Sequence, residues 1–84
     1  MILYKSKDVI EMPTVEKLVE KMKNQPRGIR ISEAEKVLAA YGYRFARQKG
    51  SHRHYINNAG DLITLKDPLK ISYINAILER INEK

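Results

Sequence analysis

Apolar positions recur along this chain with two different periods, and the change of period divides it. Val15, Leu18, Val19 and Met22 stand at i, i+3, i+4 and i+7, the spacing that lines one face of a helix. Pro13-Thr14 opens that helix with Thr14 as its N-cap, and Pro26, which restrains the residue before it, ends it by Asn24. Ala34, Val37, Leu38 and Tyr41 repeat the helical spacing and predict a second helix over residues 33–41. Ser32-Glu33-Ala34-Glu35 reads as its capping box, the Ser32 hydroxyl accepting from the Glu35 N–H while the Glu35 carboxylate reaches back. Gly42 follows where a left-handed residue closes a helix. Between the two helices, 25–30 is a connector punctuated by Pro26 and Gly28, on which Arg27 and Arg30 could reach a phosphate, although a solvated basic linker is the better reading.

From Tyr43 the period drops to 2. Residues 43–48 alternate as a half-buried strand, Lys49-Gly50-Ser51 makes a turn, and 52–57 is a second strand. Asn58-Ala59-Gly60 is a short hairpin loop, and 61–65 is a third strand rich in β-prone residues. Pro68 breaks it, and Ile71, Ile74, Ile77, Leu78 and Ile81 mark a last helix over 70–82. Short turns make the sheet an antiparallel meander. The order α-α-β-β-β-α, with strands clustered between helices, predicts an α+β domain with its helices on one face of a three-stranded antiparallel sheet. Residues 1–12 are ambiguous between a short strand and an extended arm, and Met12 is an alternative start to Met1. The expected division is 1–29 for arm, amphipathic helix and connector, and 30–84 for the main domain.

Charge sharpens this picture. The 84 residues carry a formal net charge of +6, which points to an acidic partner, nucleic acid first and an acidic protein second. Between Glu35 and Asp61 there is no acid, yet Lys36, Arg44, Arg47, Lys49 and Arg53 all lie there. A uniformly mixed surface would not look like that. The absence of cysteine excludes disulfides and thiolate metal sites. No apolar run approaches the roughly 20 residues needed to span a bilayer. The opening Met1-Ile2-Leu3-Tyr4-Lys5 is too short and too quickly charged for a secretion signal, so a cytoplasmic location without membrane contact is expected.

Both histidines fall inside this basic stretch. In a strand His52 and His54 share one face, and Arg53 and Tyr55 the other. With Tyr55 and Phe45 towards the helices, both imidazoles face solvent; Ile56 shares their face and favours cover, so the alternation alone leaves the register open. Cleaving RNA without a metal needs a base for the ribose 2′-OH, an acid for the departing 5′-oxygen and positive charge on the phosphorane. An ordinary histidine, titrating near ~6.5, serves in either role, and Arg or Lys supplies the charge. Gly50 permits close backbone approach and Ser51 can bind a phosphate oxygen. His52 with Arg47, Lys49, Ser51 and Arg53 is a chemically sufficient set. The same residues also fit two surface histidines that stand in a basic hairpin by chance, an open sheet face or helix ends that grip an RNA duplex by shape and phosphate without cutting it, or a basic face covered by an acidic protein. A His-x-His metal site is disfavoured, since Asp61 and Asp67 do not obviously converge on it.

A helix ending in Tyr41-Gly42-Tyr43, followed by Arg47-Gln48-Lys49-Gly50-Ser51-His52 and by Tyr55 three places on, resembles the HicA family of bacterial mRNA interferase toxins. The resemblance runs from about Arg30 to Ile81, and the Gly-Ser-His turn is its distinctive part. It implies a double-stranded-RNA-binding-domain-like fold that cuts mRNA without metal or cofactor and stops translation, and a cognate HicB-type antitoxin that covers the active site. It makes His52 the catalytic residue, with Gly50 and Ser51 as the turn and Arg47 and Lys49 as the basic approach to RNA. Arg44 and Arg53 are expected as further RNA contacts from their charge alone, and His54, to which the resemblance gives no role, as an auxiliary RNA contact at best. The chain departs from the family in Leu65-Lys66-Asp67-Pro68, which lacks the proline-then-histidine element that many members carry after the third strand. If that second histidine helps catalysis in those members, this protein does without it or uses another group.

Overall fold

The computed structural model describes residues 14–82; the expectations for the N-terminal arm and for Pro13 lie outside these residues. Among these described residues, three helices and one sheet follow in the expected order: α1 (Val15–Asn24), a 3₁₀ turn (Pro26–Gly28), α2 (Ile31–Ala40), β1 (Arg44–Lys49), β2 (His52–Ile56), β3 (Leu62–Lys66) and α3 (Ile71–Arg80). The strands form an antiparallel meander with β2 in the centre. The architecture is α+β, and the layering is compatible with the double-stranded-RNA-binding-domain-like label.

Thr14 caps α1 as expected, its Oγ1 accepting from the Lys17 N–H at 3.3 Å. Leu18, Val19 and Met22 are buried, so the apolar stripe of α1 enters the common core with Ala34, Val37 and Leu38 of α2 and Ile74, Ile77 and Leu78 of α3. The sheet adds Tyr55, Ile63 and Leu65 from one face only. Burying that much apolar surface is what holds a domain of this size together.

The cap of α2 differs from the expected one. The N-cap is Arg30, and the carboxylate that reaches back belongs to Glu33, which accepts from the Arg30 N–H at 2.8 Å. Tertiary structure selects Glu33 over Glu35. Glu33 also bridges to Lys21 of α1 at 3.0 Å, and Ile31, two residues before the expected start, packs against the core. Ser32 is therefore inside the helix, and Glu35 is released towards the sheet. At the other end the expected glycine closure is present. Gly42 has φ +91°, its N–H bonds to the Ala39 carbonyl at 3.1 Å, and the Tyr43 N–H reaches Leu38 at 2.9 Å, the paired bonds of a Schellman motif. α3 stops at Arg80, with Asn82 at φ 63° as its left-handed terminator.

The first strand also departs from expectation. It is exposed along its whole length rather than half-buried. The helical layer covers the other side of the sheet: α3 packs on β3, and the buried strand residues lie in β2 and β3, leaving β1 as an open edge whose Phe45 is half exposed. Only Tyr43, just before the strand, is buried. Its hydroxyl donates to Asp61 at 2.5 Å, and Asp61 accepts from Arg80 at 2.9 Å, tying the β2–β3 loop to α3.

Candidate active site

The β1–β2 hairpin is closed by two residues, Gly50 and Ser51, with Lys49 and His52 paired across it. Gly50 has φ +60° and Ser51 does not share a positive φ, the arrangement of a type II′ turn, which matches the twist of the flanking strands and requires glycine first. The Gln48 amide donates to the Gly50 carbonyl at 3.0 Å and braces the turn.

Directly opposed residues of an antiparallel pair share a face, so the register assigns every side chain. Tyr55 pairs with Ile63 and Arg53 with Leu65; this is the face covered by helices. His52 pairs with Lys66 and His54 with Thr64, and both histidines therefore lie on the uncovered face, together with Ile56 and Leu62. No residue of that face is buried; His52 is exposed and His54 half-buried.

Strict alternation along β1 would split the basic residues, placing Arg44 on one face and Arg47 and Lys49 on the other. A register shift between Phe45 and Arg47 changes this. The extra residue, Ala46, moves Arg47 from opposite Arg53 to opposite His54 and Lys49 to opposite His52. Arg47 and Lys49 thus join Lys66 around the two histidines, with Arg44 on the same face but opposite Ile56, on strands that contain no acid. Lys66 was not a candidate on sequence grounds. The signal that would have found it is the pairing register of β3, which nothing in the local pattern specifies.

The histidines are held differently. His54 Nδ1 lies 2.8 Å from Thr64 Oγ1 on the neighbouring strand. His52 stands at the hairpin end between Lys49 and Lys66. Arg44 is turned to the Asn58 side-chain oxygen at 3.1 Å, near the far hairpin.

Arg53 is not brought to the histidines. It lies on the covered side, its Nη2 3.3 Å from Glu35, its Nε donating to the Tyr55 hydroxyl at 3.2 Å, and its guanidinium 5.5 Å from the Phe45 ring centre. The Tyr55 hydroxyl donates in turn to Glu35. Burial pushes the Tyr55 phenol up to about 12, and the Glu35 carboxylate adds to the effect. This cluster ties α2 to the back of the strand that carries both histidines. A cleft of about 440 Å³ lies elsewhere, along α1 and Tyr41, with no lining residue from the sheet. Among the described residues no group of three or more His, Cys, Asp or Glu is placed to hold a metal ion, and no helix is long and apolar enough to cross a membrane.

What this face can do chemically is bind an anion with several cations and exchange protons through imidazole. Compared with known proteins, residues 31–82 match the model of a family described as the HicA toxin of bacterial toxin-antitoxin systems. The match takes in α2, the sheet and α3. The comparisons with curated proteins and with solved structures return no match.

Proposed function

Because this chain belongs to the HicA toxin family of bacterial toxin–antitoxin systems, we propose that it acts as a metal-independent mRNA endoribonuclease that stops translation, with His52 as a proton-transfer residue. The observation that carries this reading is the position of His52, exposed at a glycine-first turn on the uncovered sheet face and paired across both neighbouring strands with a lysine. An RNA backbone reaches the ring without any rearrangement of the core. Lys49, Lys66 and Arg47 supply charge to the phosphate, and the Gly50-Ser51 backbone allows close approach. In the reaction the ribose 2′-oxygen loses its proton and attacks phosphorus, the bond from phosphorus to the 5′-oxygen breaks, and that oxygen takes up a proton. The products are a 2′,3′-cyclic phosphate and a 5′-hydroxyl.

The same face, cationic and partly apolar at Ile56 and Leu62, is where a HicB-type antitoxin of acidic character covers the site in the cell, which we take to be in the cytoplasm. The test is cleavage of a long RNA in EDTA by wild type and by His52→Ala, beside growth arrest on induction of each. Equal cleavage by both proteins removes His52 from the mechanism, and a requirement for added divalent metal removes the metal-free scheme. Binding that falls with salt while RNA length stays unchanged supports a non-catalytic RNA-binding module instead.

A further inference from the structure

We propose that His54 is a second catalytic residue, and that His52 and His54 form an acid–base pair acting on the two sides of one scissile phosphate. The proposal rests on the ribonuclease reading above and extends it. Transesterification moves two protons, one from the 2′-oxygen and one to the 5′-oxygen, and the two oxygens lie on opposite sides of phosphorus. A lone imidazole faces only one side at a time. Two imidazoles two residues apart on a strand stand about 6.6 Å apart at Cα on one face, so that a phosphate can sit between them with a hydrogen bond to each.

Three observations support the pair. The register puts both rings on the uncovered face, on the central strand, with no buried neighbour over them. His54 is held: its Nδ1 is engaged by Thr64 Oγ1 at 2.8 Å, which orients the ring and leaves Nε2 for a substrate atom. The cations are distributed over both members, Arg47 opposite His54 and Lys49 and Lys66 opposite His52, so a phosphate between the rings meets positive charge from each strand.

In the step itself the neutral imidazole of the pair takes the 2′-OH proton as the 2′-oxygen bonds to phosphorus. The protonated imidazole gives its proton to the 5′-oxygen as that bond to phosphorus breaks. The pair ends with its protonation exchanged, and water resets it.

The experiment uses the full chain and an RNA oligomer containing a phosphodiester that the wild-type protein cleaves, made with the 5′-bridging oxygen or with sulfur in its place. A thiolate leaves without being protonated, so the sulfur substrate does not need the acid. The variants are His52→Ala and His54→Asn; the asparagine amide occupies the Nδ1 position, keeps the bond to Thr64 and cannot transfer a proton. Thermal melting confirms folding. Loss of an acid or base costs about 10²–10⁴-fold. Both variants are expected to lose at least about 100-fold on the oxygen substrate. One of them is expected to recover most of its deficit on the sulfur substrate, and the other is not. His54→Asn cleaving the oxygen substrate within about two-fold of wild type overturns the proposal, as does failure of sulfur to recover either variant. If wild type cleaves no RNA, the ribonuclease reading fails and the pair with it; if wild type cleaves and His54→Asn is undiminished, the pair alone fails.

Discussion

Replacing Tyr55 with phenylalanine isolates the contact that ties α2 to the strand carrying the histidines. Tyr55 is 2% exposed and its ring lies edge-on to Phe45 at 5.8 Å, so Tyr55→Phe keeps the packing and opens no cavity. It removes one hydroxyl, which donates to Glu35 and accepts from Arg53 at 3.2 Å. A hydrogen bond to a charged group is worth about 1.5–3 kcal/mol. Here the Glu35 side chain keeps 33% of its exposure and retains Arg53 at 3.3 Å. Water and the guanidinium replace part of the loss, which leaves about 1–1.5 kcal/mol. For a domain of this size that lowers Tm by about 5–10 °C.

The same contact has a pH signature. The phenol is held up to about 12 by burial and by Glu35, against 10.0 for a free tyrosine. The fold therefore favours the protonated phenol, and its contribution is complete below pH 10 and is lost as pH rises from 10 towards about 12. Melting followed by circular dichroism, wild type against Tyr55→Phe, should show a gap that is constant up to pH 9–10 and closes over that window. A variant melting within about 2 °C of wild type at neutral pH, or a gap unchanged at pH 12, refutes the reasoning.

Three further outcomes are expected. Gly42→Ala forces a side chain onto a φ of +91° in the Schellman closure of α2 and should destabilise by about 1–2 kcal/mol in chemical denaturation, with the slope unchanged. Burial pushes the Glu33 carboxyl up, but the Arg30 N–H and the Lys21 ammonium outweigh it and hold the group below its ordinary value of 4.5; its stabilisation is therefore present above pH 4.5 and lost as pH falls through the lower folded value, and Glu33→Gln should flatten that acid limb of the stability curve. Lys66→Ala should weaken binding of a non-cleavable 2′-O-methyl RNA and lower the slope of log affinity against log salt by about 0.7, as expected for one lost phosphate contact.

The fold was largely legible because its determinants are local. The apolar stripe of α1, the Thr14 cap, the Gly42 closure and the turn at Gly50 each depend on residues within a few positions of one another. The helix starts two residues before the Ser32…Glu35 box because Glu33 accepts from the Arg30 N–H and is held by Lys21, twelve residues earlier, although Arg30 has no side-chain acceptor to offer in return. The site was legible in part. Period 2 placed His52 and His54 on one face with Arg53 on the other, but it could not place the residues of β1 and β3 around them.

Chain order and side-chain chemistry alone thus determined three helices, a meander and a cationic hairpin bearing both imidazoles. The composition of the open face was decided only on folding. The Ala46 bulge turns Arg47 and Lys49 to the histidines, and the β2–β3 register sets Lys66 beside His52. The physical reason is that a one-residue slip in a strand reverses every side chain after it, and what fixes that slip is packing against elements distant in sequence.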